Sequence, residues 1–145
     1  MQLSVHRIDA DLAMPEYHSS GAIGFDLTAR LTTVVPAKGM ALVPNNLVVR
    51  VPAGYGLFIF SRSSTLKKKG LMVGNGVGVI DQDYCGPEDE LMTCFYNPSE
   101  KDITIERGER WSQAVLLPAV QPELIEDHKA DDHAVRGGFG STGTS

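Results

Sequence analysis

The sequence has 145 residues, the size of one ordinary domain, and a chain of this length buries about two thirds of its unfolded surface. Hydrophobic residues make up 42% and charged residues 21%, values near the globular average that exclude wholesale disorder, collagen and coiled coils. The formal net charge of −5 argues against a sequence-independent grip on DNA or RNA, so an anionic ligand must be held by a local cluster of cations.

Short β-like runs recur along the whole chain and are separated by turn sequences such as PAKG, PAGYG and NPSEKD. The predicted strands are Leu3–Ile8, Phe25–Ala29, Met40–Val43, Leu47–Val51, Leu57–Phe60, Leu71–Val73, Val77–Ile80, Leu91–Tyr96, Ile103–Ile105 and Trp111–Leu117. This spacing is typical of a β-sandwich, barrel or jelly roll, and no helices alternate with the strands as a parallel α/β sheet requires. We therefore predict an all-β protein.

Helices are expected to be few and short, because the chain contains 15 glycines and 8 prolines spread over its length. One short helix is predicted over Leu66–Lys69, with Ser63 or Ser64 as its cap and Gly70 at its end. A second helical turn is considered near Asp11–Glu16, although a proline limits it.

Cysteine content and hydropathy indicate a cytoplasmic protein without a membrane span. The two cysteines, Cys85 and Cys94, are too few for a disulfide framework and lack the spacing of a zinc site. The apolar runs are far shorter than the roughly 20 residues that cross a bilayer, and the first residues lack the apolar region of a signal peptide.

Two segments in the first half of the chain contain chemistry-bearing residues. In SSGAIGFDLTA, Asp26 lies within a predicted strand, and taken alone it is more simply a surface carboxylate. In SRSSTLKKKG, the residues Arg62, Ser63 and Ser64 precede the predicted helix. An arginine, two hydroxyls and free N–H groups suit an anion site, but a plain helix cap explains them equally well.

Two further segments lie in the second half. In GNGVGVIDQDYCG, a glycine-rich hairpin is predicted to lead into Asp81, which could be a solvated turn residue or a functional carboxylate. In RGERWSQAVLLP, Arg110 and Gln113 lie on a strand otherwise suited to burial. A buried glutamine needs a hydrogen-bond partner, and a backbone group would satisfy it.

The last ten residues, RGGFGSTGTS, contain four glycines and one large apolar side chain, so we expect a flexible arm that does not pack as a strand. This arm resembles a phosphate-binding loop only superficially, because it lacks the Walker lysine and the helix that follows it.

Taken in order from about Ser19 to Gly143, the five segments resemble the motifs of the trimeric all-β dUTP nucleotidohydrolases, or dUTPases. The resemblance implies a distorted jelly roll of the β-clip type over residues 1–130, with a flexible arm at 131–145 that closes over the site. It also implies a homotrimer in which each active site combines motifs from three chains.

The reaction that the resemblance implies is hydrolysis of dUTP to dUMP and pyrophosphate by water attack at the α-phosphorus, assisted by Mg²⁺. This reaction limits uracil incorporation into DNA and supplies dUMP for dTMP synthesis. Asp81 matches the family's catalytic carboxylate, which needs only to orient the water and accept its proton. Asp26 matches an aspartate that acts on the metal through water, and the phosphates themselves would hold most of the ion.

Substrate-binding residues are also implied by the resemblance. Phosphate contacts are expected from Arg62, Ser63, Ser64, Gln113, Arg136, Ser141 and Thr142. Asn75 matches an asparagine that reads uracil, and Tyr84 matches the ring under deoxyribose that excludes a 2′-hydroxyl. Phe139 and the adjacent Gly140 would cover the uracil face when the arm closes. The alternative for Tyr84 is a core aromatic.

The sequence departs from the family pattern in four places. Ser61 and Ser64 replace a proline and a glycine of the second motif, Trp111 replaces a small aliphatic residue, and GPEDELM is about three residues longer than usual. None removes a catalytic group, but the phosphate loop and the following hairpin are affected.

Two rival functions remain at this point. A dCTP deaminase of the same fold needs a glutamate about ten residues beyond Asp81, where the chain has Leu91, although Glu88 and Glu90 are close. A catalytically silent nucleotide-binding regulator would not need a positioned base.

Overall fold

A computed structural model of the chain describes residues 1–127. The strands are β1 (Ser4–Arg7), β2 (Gly24–Thr28), β3 (Thr33–Val35), β4 (Met40–Pro44), β5 (Leu47–Arg50), β6 (Tyr55–Ser61), β7 (Met72–Val73), β8 (Gly78–Ile80), β9 (Met92–Tyr96), β10 (Ile103–Ile105) and β11 (Arg110–Pro118). The helix α1 spans Thr65–Lys69. Each predicted strand overlaps an observed one, which confirms the all-β prediction.

Strand β3 is the one described strand that the sequence pattern does not predict. It has three residues and pairs with β10, about seventy residues further along the chain, through contacts such as Val34 opposite Thr104. A strand this short depends on a distant partner, so local periodicity carries little signal for it.

The described strands form four antiparallel sheets. Their orders are β2-β11-β6-β8, β4-β9-β7, β1-β5 and β10-β3. Two hydrophobic clusters fill the space between them. One contains Leu27, Val49, Leu57 and Ile59, and the other is built around Phe95. The longest strand, β11, lies between β2 and β6, so residues from these three strands become neighbours.

Helix α1 follows β6 and is as short as the sequence predicts. Gly70 ends it with a φ of 71°, and its N–H donates to the Leu66 carbonyl, as a left-handed C-cap should. Ser64 is the N-cap residue, but its hydroxyl makes no capping hydrogen bond. Within residues 1–127, no helix is long and apolar enough to cross a membrane.

The helical turn considered near residues 11–16 does not form. Instead, the Arg7 guanidinium donates to the carbonyls of Ala10 and Leu12, and the Asp9 carboxylate accepts the Asp11 N–H. Side chains that capture local backbone groups in this way compete with helical hydrogen bonds. These side-chain contacts explain why the possible helical turn does not form.

A buried polar turn between β4 and β5 fixes the segment before β9. Asn46 has a φ of 66° and bonds to the backbone of Asp9 through both ends of its amide. Its own N–H donates to the buried Glu90 carboxylate, which also accepts two hydrogen bonds from Arg30. The loop 86–90 is thereby tied to the core of the chain.

Candidate active site

One half of the candidate site lies where β2, β11 and β6 run side by side. In the register of the sheet, Gln113 of β11 is opposite both Asp26 of β2 and Phe60 of β6. Arg62 follows the end of β6 directly. Three residues from segments far apart in the sequence thus meet at one end of the sheet, as the five-motif pattern predicts.

Asp26 is the centre of this half. Only 8% of it is exposed, so the interpretation of Asp26 as a surface carboxylate is wrong. Its Oδ1 lies 2.9 Å from Arg62 Nε, and its Oδ2 lies 3.1 Å from His18 Nε2 and 3.6 Å from Arg110 Nη1. A buried carboxylate requires such partners, and it orients the cations around it in return.

Arg62 is held at two points. Besides the ion pair with Asp26, its Nη1 donates to the Arg110 carbonyl at 2.7 Å. Its side chain is 31% exposed, so part of the guanidinium faces solvent. A guanidinium fixed in this way presents its remaining N–H groups in one orientation, which suits recognition of a phosphate.

His18 and Arg110 are members of this cluster that the predicted site does not include. Arg110 Nη1 lies 2.9 Å from His18 Nε2, next to the Asp26 carboxylate. Arg110 belongs to the fourth segment, so its position three residues before Gln113 could have identified it as a candidate site residue. His18 lies in a loop eight residues before Asp26, outside any strand, and no periodic pattern identifies it.

Ser63 and Ser64 lie between Arg62 and the helix. Ser63 is exposed and Ser64 is half-buried. The helix-cap explanation of the two hydroxyls is not supported, since Ser64 makes no side-chain capping bond. Instead, the Thr65 hydroxyl donates to the Trp111 carbonyl at 2.6 Å and anchors the loop, which leaves the two serine hydroxyls available to a ligand.

Trp111, the bulky departure from the family pattern, is bonded to this loop through its backbone carbonyl. Its carbonyl also accepts the Arg62 N–H at 3.4 Å, and Lys69 Nζ lies 5.2 Å from the centre of its ring. The indole packs against the hydrophobic cluster around Phe95, next to Lys69 of α1, and Arg62 keeps its ion pair with Asp26. Gln113 is half-buried and donates through Nε2 to the Ser61 carbonyl at 3.0 Å, so a backbone group does satisfy it.

The other half of the candidate site lies beyond β8. Asp81 is exposed and lines an open groove of about 670 Å³ with Tyr55, Phe58 and Asp83. Tyr84 is 38% exposed, and its hydroxyl donates to the Glu90 carbonyl at 3.1 Å. Tyr84 is thus not a core aromatic.

The predicted glycine-rich hairpin does not form as expected. Strand β7 pairs with β9, whereas β8 pairs with β6, so the two arms of the supposed hairpin belong to different sheets. A tight turn joins them, in which Gly76 N–H donates to the Val73 carbonyl. Asn75 is exposed in this turn.

The two halves are far apart within one chain. Ile80, the residue before Asp81, is opposite Leu57 near the start of β6, whereas Arg62 follows the end of β6. At 3.3–3.4 Å per extended residue, Asp81 and Arg62 are separated by roughly 20 Å. The structure therefore brings together Asp26, Arg62 and Gln113 but not Asp81, Asn75 or Tyr84 with them.

The remaining predicted residues, Arg136, Phe139, Gly140, Ser141 and Thr142, lie outside the described residues, as does the arm at 131–145. Of the glutamates relevant to a deaminase, Glu90 is 5% exposed and its carboxylate is engaged by Arg30 and Asn46. Glu88 is exposed. A buried carboxylate with these partners is a structural group, which argues against the deaminase.

Comparison with known proteins identifies the family. A sequence model described as dUTPase matches residues 10–143. The deoxyuridine 5′-triphosphate nucleotidohydrolase of Hydrogenobaculum sp. is 37% identical over 99% of both chains. The enzyme of that name from Beijerinckia indica is 41% identical, over 91% of this chain and 84% of its own.

Solved structures agree with this result. The dUTPase of Streptococcus mutans matches 82% of this chain and 98% of its own, with 31% identity and a TM-score of 0.75. The dUTPase of Staphylococcus bacteriophage 80alpha, solved with dUpNHpp, matches 99% of both chains with 26% identity and a TM-score of 0.86. The jelly-roll prediction is confirmed by these neighbours. With five ordered motifs, this topology and matches over nearly the whole chain, the protein belongs to the dUTPase family.

Proposed function

We propose that this chain is a dUTP diphosphatase, which hydrolyses dUTP to dUMP and pyrophosphate. The observation that carries the proposal is the meeting of Asp26, Arg62 and Gln113 at one end of the β2-β11-β6 layer, in a chain that matches the dUTPase family over residues 10–143. In the cell, this reaction limits uracil incorporation into DNA and supplies dUMP for dTMP synthesis. The two free cysteines are compatible with action in the cytoplasm.

Asp81 is the general base in this proposal. Its exposed position at the rim of the groove leaves it free to approach a water molecule, and burial does not restrict its carboxylate. The carboxylate orients the water, accepts a proton as the water oxygen attacks the α-phosphorus, and the bond to the bridging oxygen of pyrophosphate breaks.

Arg62 is the principal cation for the triphosphate. The Asp26 carboxylate and the Arg110 carbonyl fix its orientation before substrate arrives, so little side-chain freedom is lost on binding. Ser63 and Ser64 add hydroxyl donors beside it, and Gln113 lies one strand away. In the arm, Arg136, Ser141 and Thr142 would complete the clamp on the phosphates.

Base and sugar are read by the segment between β7 and β9. Asn75 is exposed in its turn and can present an amide to the uracil edge. The Tyr84 hydroxyl is tethered to the Glu90 carbonyl, which fixes the ring in one orientation and suits it to exclude a 2′-hydroxyl by contact. Phe139 and Gly140 of the arm would cover the opposite face of the base.

The residues present fit Mg²⁺ delivered with the nucleotide. Within residues 1–127 there is no group of three or more His, Cys, Asp or Glu residues arranged to hold a metal ion. Both Asp26 oxygens already have cationic or imidazole partners, so Asp26 suits a contact through water. When bound to the phosphates, Mg²⁺ supplies positive charge that offsets the charge of the triphosphate.

The active unit is a homotrimer whose sites are shared between copies. A single chain holds Arg62 and Asp81 roughly 20 Å apart at opposite ends of β6, too far for both to contact one triphosphate. A second copy can supply the missing half, and a third can supply the arm. This arrangement makes each site incomplete without its neighbours.

Subunit mixing tests the shared site. We expect Arg62→Ala and Asp81→Asn each to be nearly inactive, whereas random reassembly of the two variants at equal amounts restores about a quarter of the sites. The readout is pyrophosphate release from dUTP. A mixture of Arg62→Ala with the double variant Arg62→Ala/Asp81→Asn is the control, because no chain in it carries Arg62 and no intact site forms.

The alternatives give different outcomes in the same assay. A deaminase would release ammonia from dCTP, and a silent regulator would bind dUTP without releasing pyrophosphate. Absence of recovered activity in the first mixture, with both variants folded and assembled, would show that one chain contains a complete site.

A further inference from the structure

A buried ion pair lies next to the loop that follows Tyr84. Glu90, the last residue of the loop 86–90, is 5% exposed, and Arg30 follows shortly after β2. The Arg30 Nε and Nη2 atoms donate to the two oxygens of the Glu90 carboxylate at 2.8 and 2.7 Å. Paired donors of this kind fix both the position and the angle of a carboxylate. The proposed function gives neither of these side chains a role.

Both partners of the carboxylate are fixed to the core. The Arg30 N–H donates to the Pro44 carbonyl at 2.8 Å, where β4 ends, and the neighbouring Ala29 is buried in the core. On the other side, the N–H of the buried Asn46 donates to Glu90 Oε1 at 2.7 Å. The Glu90 side chain is therefore held from two directions.

Glu90 connects this ion pair to Tyr84. Its carbonyl oxygen accepts the Tyr84 hydroxyl at 3.1 Å, while its carboxylate is bonded to Arg30. The two acceptors belong to one residue, so a shift of Glu90 displaces the partner of the hydroxyl. The other hydrogen bond of Tyr84 runs from its N–H to the Asp81 carbonyl at 3.3 Å and restrains the backbone rather than the ring. The orientation of the ring therefore depends on the position of Glu90.

The loop between Tyr84 and Glu90 is fastened to the core at its end. Inside the loop, the Gly86 N–H donates to Asp89 Oδ2 at 2.6 Å and the Asp89 N–H donates to the Gly86 carbonyl at 3.1 Å, so these bonds close the loop on itself. The ties to the core come from the Glu90 carboxylate and from the Leu91 N–H, which donates to the Leu47 carbonyl at 2.7 Å. A loop about three residues longer than the family pattern makes these end ties more important.

We propose that Arg30 is a positioning residue for recognition of the sugar: by holding Glu90, it keeps the Tyr84 ring in the orientation that excludes a 2′-hydroxyl. The inference rests on the proposed function of Tyr84. A ring rejects an added hydroxyl by contact, so it must be held to within about 0.5 Å of its working position. Arg30 acts through Glu90 and not through contact with the nucleotide.

Nucleotide selectivity tests this role separately from stability. The quantity measured is the kcat/KM for UTP divided by the kcat/KM for dUTP. Both values come from one enzyme preparation, so the fraction of folded enzyme cancels and a loss of stability alone does not change the ratio. We expect Arg30→Met to raise the ratio by about three- to fivefold. Arg107→Met is the matched control, because it removes a 2.7 Å ion pair with Asp9 that does not include Glu90, and it should leave the ratio unchanged.

Tyr84→Phe shows whether Arg30 acts through the hydroxyl. This variant keeps the ring and removes its bond to the Glu90 carbonyl, so it should raise the ratio by a similar factor. In the double variant Arg30→Met/Tyr84→Phe, the two effects should not multiply, because both changes release the same ring. Effects that multiply would overturn the proposal, since Arg30 would then act on selectivity by another route.

The outcomes separate this inference from the proposed function. An unchanged ratio in Arg30→Met, with a raised ratio in Tyr84→Phe, would overturn the role of Arg30 and leave Tyr84 as the residue that reads the sugar. If Arg30→Met does not fold, Glu90→Gln decides, because an amide cannot accept both bonds from Arg30 and should also raise the ratio. An unchanged ratio in all of these variants would overturn the inference as well. Absence of pyrophosphate release from dUTP by the parent chain would contradict the proposed function itself.

Discussion

The two ends of strand β6 differ in how firmly one chain holds its candidate functional groups. At the Arg62 end, a buried carboxylate, two arginines and a histidine contact one another within 3.6 Å. At the Asp81 end, the carboxylate is exposed at the rim of an open groove, and Tyr84 is held by two hydrogen bonds, from its hydroxyl to the Glu90 carbonyl and from its N–H to the Asp81 carbonyl.

In the proposed site the two ends have different tasks, binding of the phosphates at the Arg62 end and action on the water and the sugar at the Asp81 end. Groups that bind a highly charged phosphate chain benefit from being oriented in advance, because free arginine side chains lose entropy on binding. In the proposed homotrimer, the groups that act on the water and the sugar belong to a surface that another copy completes. Substitutions at the Asp81 end should therefore change activity alone, whereas substitutions at the Asp26 end should change activity and folding stability together.

The largest expected effect is that of Asp81→Asn. It keeps the shape of the side chain but removes the basic lone pair, so kcat for dUTP should fall by roughly 10²- to 10⁴-fold with little change in melting temperature. Asp83→Asn is the matched control, since Asp83 lines the same groove and has no assigned role. Turnover of Asp81→Asn within a few-fold of the parent would remove Asp81 from the role of base.

Asp26→Asn should have the next largest effect and should act on two quantities. Loss of the buried charge leaves Arg62 without its ion-pair partner, so we expect a loss of about 1–3 kcal/mol in the free energy of unfolding and a higher KM for dUTP. Urea unfolding and steady-state kinetics measure the two changes. Glu16→Gln, at an exposed carboxylate 3.8 Å from His18, should change neither. If Asp26→Asn had the same free energy of unfolding as the parent, the expected difference in stability between the two ends of β6 would be contradicted.

Tyr84→Ala tests the role of the Asp81 end in recognition of the sugar. If the ring excludes the 2′-hydroxyl by contact, the kcat/KM for UTP relative to dUTP should rise by about tenfold. Asn75→Ala should instead weaken uracil binding without admitting ribose. Competition kinetics with the two nucleotides measures both. An unchanged ratio in Tyr84→Ala would mean that another residue reads the sugar.

The smallest effect is expected away from both ends, at Asp9. A hydrogen bond from Arg107, followed by one from the Asp11 N–H, holds the pKa of Asp9 below its ordinary value of 3.8. A lowered pKa in the folded state means that the carboxylate stabilises the fold above the ordinary pKa and that this contribution is lost as the pH falls through the lowered one.

Asp9→Asn should therefore lower the melting temperature slightly at pH 7, and the difference from the parent should shrink toward about pH 2. Thermal melts at the two pH values measure it. Activity per folded molecule should not change. If the difference in melting temperature between Asp9→Asn and the parent grew on acidification, the lowered pKa of Asp9 would be contradicted.

Much of the fold was predictable because alternation and turn residues are local signals. Strands such as β5 and β11 bury side chains against the core, so their apolar residues can be recognised in the sequence. The failures concern groups whose state depends on distant partners. In the sequence Asp26 resembles a surface carboxylate, because no local pattern shows that Arg110 and Arg62 lie beside it in the folded chain.

The candidate residues could be selected from the sequence as a set, but their arrangement could not. An ordered series of motifs identifies Arg62 and Asp81, yet only the register of β6 with β8 shows that one chain separates them. The pairing of β7 with β9 instead of β8 is likewise a property of the assembled sheets. His18 has no motif of its own, so its contact with Asp26 required the structure.

The position of Trp111 gives the protein an optical signal of its own. It is the single tryptophan of the chain, and its backbone carbonyl accepts bonds from both the Arg62 N–H and the Thr65 hydroxyl. Indole emission responds to the polarity and to the charges around the ring, and Lys69 already lies 5.2 Å from its centre. Fluorescence of the unlabelled protein can therefore report, in real time, changes around Lys69 and the helix α1 that follows Arg62.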